Sequence, residues 1–134
     1  MAVFFYRLHC MDKKKVLIID DEVDFCLLMQ FYLSKKNCDV SISHTLRDGL
    51  GLVLDNPPDI VFLDNNLPDG LGWPAAKNIL DAIPGVNLYL ISANKPGTRN
   101  SCYDDGSDDD QSGVSKCQII EKPISISQID NFLK

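Results

Sequence analysis

An α/β fold built on a parallel sheet is what the sequence predicts, from two observations. Three short apolar runs, VLII at 16–19, IVFL at 60–63 and VNLYLI at 86–91, are each bounded by turn or charged residues. Runs this short and continuous fit strands buried on both faces of a sheet. Helical patterns lie between them, and strand alternating with helix calls for parallel strands joined by right-handed crossovers.

Taken in order, residues 1–12 form an N-terminal extension or tag. Their apolar stretch is only Ala2–Tyr6, with no small-residue cleavage site, so it reads as neither signal peptide nor membrane span. The folded domain covers 13–134 and opens with the strand at 16–19. Phe25, Leu28, Met29, Tyr32 and Leu33 mark the apolar face of a first helix, with Asp21 or Asp24 placed to cap its first turn. CDVSIS at 38–43 alternates as an edge strand does, and Leu46, Leu50, Val53 and Leu54 mark a second helix that NPPD stops. After the strand at 60–63, WPAAKNILDAIPG reads as a helix opening near Pro74 and ending at Pro84–Gly85. CQIIE at 117–121 follows as a fifth strand, and SISQIDNFL at 125–133 as a short last helix. Residues 94–116 break the alternation with five aspartates, three glycines and almost no apolar residues, so a loop replaces or shortens the fourth helix.

Composition excludes some functions. Thirteen Lys and Arg against nineteen Asp and Glu give a net charge of −6, which argues against direct nucleic-acid binding. No segment reads as membrane-bound. Five scattered cysteines lack zinc or redox spacing and read as reduced thiols of a cytoplasmic protein.

The chemistry gathers at strand ends. In an open α/β sheet, ligands bind outside the carboxyl ends of the strands. There the sequence places Asp20, Asp21 and Glu22 after strand one, Asp64 after strand three, Ser92 after strand four and Lys122 after strand five. Each alone has an ordinary explanation: a helix cap, an Asx turn, a surface charge. Together they bring acids, a hydroxyl and an ammonium to one rim. Clustered carboxylates repel one another, and a hard divalent cation with oxygen ligands removes that repulsion, so Mg²⁺ suits them. Zinc does not, because His9 lies in the extension and His44 on the edge-strand side. A carboxylate nucleophile beside a cation, a hydroxyl and a lysine matches phosphoryl transfer onto Asp64.

VLIIDDE, DIVFLDNNLPDGLGW, LISA and IIEKPIS, in that order over residues 15–134, together resemble the receiver domain of two-component response regulators. The resemblance implies a CheY-like, flavodoxin-like three-layer fold, with a five-stranded sheet of order 2-1-3-4-5. It implies Asp64 as phosphoacceptor, Ser92 and Lys122 as phosphoryl contacts, and Mg²⁺ held by Asp20, Asp21, Asp64 and the backbone carbonyl of Asn66. A cis bond before Pro123 is also implied. The partner implied is a histidine kinase or histidine phosphotransfer protein, with the downstream partner undefined. Such a domain is a signalling module, not an enzyme in the ordinary sense: it catalyses only transfer onto, and slow hydrolysis from, its own aspartate.

Two features depart from that pattern. The family's switching aromatic, three residues before the lysine, is Ile119 here, and residues 94–116 lack an apolar stripe. They motivate an alternative, a receiver-like interaction domain with unconventional or absent phosphorylation switching.

Overall fold

Five strands form one parallel sheet in the computed structural model of the protein, which describes residues 13–93 and 116–133. They are β1 (Lys14–Ile19), β2 (Cys38–Ser43), β3 (Ile60–Asp64), β4 (Asn87–Ser92) and β5 (Lys116–Glu121). Their order across the sheet is β2-β1-β3-β4-β5, as expected, with every neighbouring pair parallel. The expected extents hold to within one or two residues.

Side chains alternate between two apolar layers, as the strand period of two requires. Val16, Ile18, Ile60, Phe62 and Ile91 face one layer, closed by Cys26, Met29 and Leu33 of helix α1 (Val23–Lys35) and Ile129 of the last helix, α4 (Ile126–Phe132). Leu17, Ile19, Val61, Leu63 and Leu90 face the other, closed by Val53 of α2 (Leu46–Asp55) and Ile79 of α3 (Ala76–Ala82). Phe62, Tyr89 and Phe132 stack in the first layer, with ring centroids 4.5–5.4 Å apart. Burying a side chain such as Phe62 or Ile18 completely is worth about 1.5–3 kcal/mol.

Local chemistry sets the helix limits. Thr45 caps α2 by accepting the Asp48 amide at 3.2 Å, and Ser125 with Gln128 forms a capping box at the start of α4. A 3₁₀ turn, Trp73–Ala75, leads into α3. Gly49 lies so close to β1 that a Cβ there would stand 2.5 Å from Ile19 Cδ1, so its lack of a side chain lets α2 settle onto the sheet.

Some expectations need correcting. Leu28 and Leu54 do not face the core but are 51% and 72% exposed. Helix α1 carries apolar residues on most of its positions, so Cys26 fills a place that periodicity assigned to its neighbours. Cys26 and Cys38 are free and buried, but Cys117 is disulfide-bonded. Pairing depends on proximity in the fold, which the spacing of scattered cysteines does not encode. The reading of 94–116 as a loop in place of a helix, and that of 1–12 as an extension, lie outside the described residues, apart from Lys116 in β5. No helix among the described residues is long and apolar enough to cross a membrane.

Candidate functional site

The sheet register levels four strand ends. Ile19 pairs with Leu63, Asp64 with Ile91 and Ser92 with Glu121, so the residues ending or following these strands meet on one rim. Asp20 and Asp64 are both buried there, at 0% and 7% exposure, while Asp21 between them in the cluster is exposed. Carboxylate oxygens of the three lie within 4.8 Å of one another.

Asp20 is held on every side. Its amide donates to the Ser43 carbonyl at 2.9 Å, its Oδ1 accepts the Glu22 amide at 2.8 Å, and Lys122 Nζ stands 2.8 Å from its Oδ2. Its carbonyl accepts the Cys26 thiol at 3.3 Å and lies 2.9 Å from His44 Nδ1. A carbonyl can only accept, so that nitrogen carries the ring proton. Burial pushes the Asp20 carboxyl above its ordinary range, opposed by the Lys122 and Glu22 bonds. The Cys26 thiol, buried and beside Asp20, is pushed up to about 12, so it serves as a donor and not as a nucleophile.

Asp64 has thinner support. Its Oδ1 accepts the amide of Asn65 at 2.9 Å. Burial, and then the Asp20 charge, raise it from an ordinary 3.8 to about 6 against the pull of Lys122. Near neutral pH the group is a carboxylate of raised basicity. The chain then turns away through a two-residue antiparallel ladder, Asn66 with Leu71 and Leu67 with Gly70. Gly72 donates to the Asn65 carbonyl at 2.7 Å, and a Cβ on it would stand 2.1 Å from the Asp64 carbonyl oxygen. Only glycine allows that closure. Asp69, within the turn, accepts the amides of Leu46 and Arg47 at 2.8 and 2.9 Å, and these bonds hold its carboxyl below the ordinary range.

Lys122 directly follows β5 at the rim, its bond to Pro123 is cis, as expected, and its amide donates to the Ser92 carbonyl at 2.9 Å. Its ammonium pairs with Asp20 and Glu22 and lies 4.4 Å from the centroid of the Phe25 ring. Burial works to lower the ammonium, but the bonds to the two carboxylates outweigh it and hold the group above its ordinary value.

The residues suit a hard divalent cation. The donors are all carboxylate oxygens, and the buried Asp20 Oδ2 is met by the Lys122 ammonium at 2.8 Å. Mg²⁺ bound there would be held by Asp20, Asp21 and Asp64. Of the residues singled out from the sequence, Asp20, Asp21, Asp64, Ser92 and Lys122 share the rim, and Asn66, itself exposed, opens the ladder two residues after Asp64. Glu22, His44, Asp69 and Gly72 acquire structural roles that the sequence reading did not assign. His44 follows the edge strand β2, as expected, and the β1–β2 register, with Ser43 opposite Ile19, sets its ring against Asp20.

Residues 16–134 match the response regulator receiver domain family. The response regulator protein PilR of Pseudomonas aeruginosa is 29% identical over 83 residues, which cover 62% of this chain and only 19% of PilR. A receiver domain (CheY-like) from Methylobacillus flagellatus shares 21% identity at a TM-score of 0.71, over 91% of this chain and 97% of its own. A two-component response regulator from Clostridium difficile shares 21% at 0.70, over 91% and 93%. At that identity the structural likeness speaks for the fold.

Proposed function

The chain belongs to the response regulator receiver domain family, and on that premise we propose that it accepts a phosphoryl group from a phosphohistidine onto Asp64. The observation that carries this is the contrast in support at the rim: Asp64 is buried, raised to about 6 and bonded through the Asn65 amide, beside a lysine and two further acids. An Asp64 oxygen attacks phosphorus, the P–O bond forms as the P–N bond breaks, and the imidazole leaves with the electron pair and takes up a proton. Bound Mg²⁺ supplies charge neutralisation for the phosphoryl oxygens. Lys122 supplies a second positive charge and Ser92 a hydroxyl donor. Attack of water on phosphorus later returns the carboxylate and inorganic phosphate.

The donor we propose is a histidine kinase or histidine phosphotransfer protein. Helix α1, which starts beside the acids, supports a protein partner: Val23, Leu27, Leu28 and Phe31 along it are each more than half exposed. A second reading, an interaction domain without phosphorylation, draws on Ile119, which packs partly buried against the apolar layer of β4 and offers no ring to turn. The test is incubation with Mg²⁺ and acetyl phosphate, following mass and the fluorescence of Trp73, whose amide is bonded to Asn65 Oδ1 at 3.1 Å. Wild type gains one phosphoryl adduct and Asp64→Asn gains none. An adduct that survives the substitution moves the acceptor elsewhere and overturns the proposal, and no adduct on wild type overturns it in favour of the second reading.

A further inference from the structure

Among the described residues three contacts hold the Lys122 ammonium, and they come from the connection between β1 and α1 and from the first turn of α1. They are Asp20 Oδ2 at 2.8 Å, the Glu22 carboxylate and the face of Phe25. Among the described residues, its ion pairs are with Asp20 and Glu22 alone. Glu22 is itself tied to the site, because its amide donates to Asp20 Oδ1 at 2.8 Å. Its side chain is 61% exposed while that of Lys122 is 13% exposed, so the pair joins a solvated carboxylate to a sheltered ammonium a hundred residues away in the chain.

A phosphoryl group on Asp64 would need the same ammonium. A cation at Asp20 would also repel it, leaving the Glu22 carboxylate as its remaining negatively charged partner. An ion pair with one exposed member is weakened by solvent screening. Such a hold positions the lysine yet lets it go when stronger anionic oxygens arrive.

We propose that Glu22 is a positioning residue that parks Lys122 on the β1 side of the site until an anionic group on Asp64 draws it across. The proposal rests on Asp64 being the acceptor, and it makes Glu22 a determinant of how readily the charged state forms. Parking stabilises the unphosphorylated state only, so loosening it favours the phosphorylated one.

Two substitutions separate contact from charge. Glu22→Gln removes the charge, and Glu22→Asp keeps it while drawing the carboxylate back by one methylene. Beryllofluoride with saturating Mg²⁺ serves as the phosphoryl mimic, read by Trp73 fluorescence. The Nζ resonance of Lys122 in ¹⁵N-labelled protein reads the parked state directly. Both variants are expected to bind the mimic about two- to fivefold tighter, and both to shift the Nζ resonance of the free protein. In a Lys122→Gln background, Glu22→Gln is expected to have no further effect on the mimic. If Glu22→Asp behaves as wild type while Glu22→Gln tightens binding, charge at the rim acts without the contact and the proposal falls. Unchanged Nζ resonances in both variants overturn it as well. If wild type binds no mimic at all, the acceptor reading fails, while the Nζ resonances still decide whether Glu22 holds the lysine.

Discussion

The ends of β1 and β3 sit side by side and each presents a buried aspartate, yet they are built in opposite ways. Asp20 is locked by an ammonium and the Glu22 amide on its carboxylate, with three further contacts on its backbone. Among the described residues Asp64 has one amide on its carboxylate, and the chain after it folds back through a ladder of two residues per strand. Satisfying a buried charge fully makes it rigid, whereas leaving it short of partners keeps it reactive. On the proposed function, one strand end would work as an anchor and the other as the group that changes.

The largest expected break in this contrast comes from Asp20→Asn. Removing the anchor's charge takes a ligand from the cation site and a partner from Lys122 together. Mg²⁺ affinity measured by Trp73 fluorescence should fall by about 10–100-fold with the fold kept. An unchanged affinity would show that Asp20 serves the lysine alone. Gly72→Ala attacks the other end, since its Cβ meets the Asp64 carbonyl at 2.1 Å and the turn must shift. Urea unfolding should show a loss of about 1–3 kcal/mol, accompanied by weaker Mg²⁺ binding. Equal stability would mean that the loop gives way freely.

Titration offers the gentlest test. The Asp64 carboxyl lies at about 6 in the folded protein against an ordinary 3.8, so the folded state holds the proton more tightly than the unfolded one. The stability it contributes without metal is fully present below about 4 and is lost as pH rises through about 6. Mg²⁺ needs the carboxylate, so its binding should weaken by about twofold as pH falls from 7.5 to 6. Asp64→Asn should flatten both slopes, and slopes unchanged by it would assign the proton elsewhere.

Much of this rim was legible in the sequence because strand ends are easy to read. Apolar runs that stop at Asp20, Asp64, Ser92 and Lys122 must, in a parallel sheet, stop on the same edge. What stayed hidden was whatever depends on neighbours across the fold. Helix α1 shows too many apolar residues for its period to reveal that Leu28 faces outward and Cys26 inward. His44 meets Asp20 only through the β1–β2 register, and Glu22 meets Lys122 across almost the whole chain. Gly72 resembles any turn glycine until the carbonyl it must clear is located.

Asp69 gives the reactive end a mechanical partner. By accepting the Leu46 and Arg47 amides, it fastens the turn after Asp64 to the first turn of α2. Those two amides lie at a helix start, where hydrogens ordinarily exchange with solvent through fraying. Bonded to Asp69, they should exchange only when the turn lets go, so their protection would be a clock for motion of the loop after Asp64, read from a neighbouring helix.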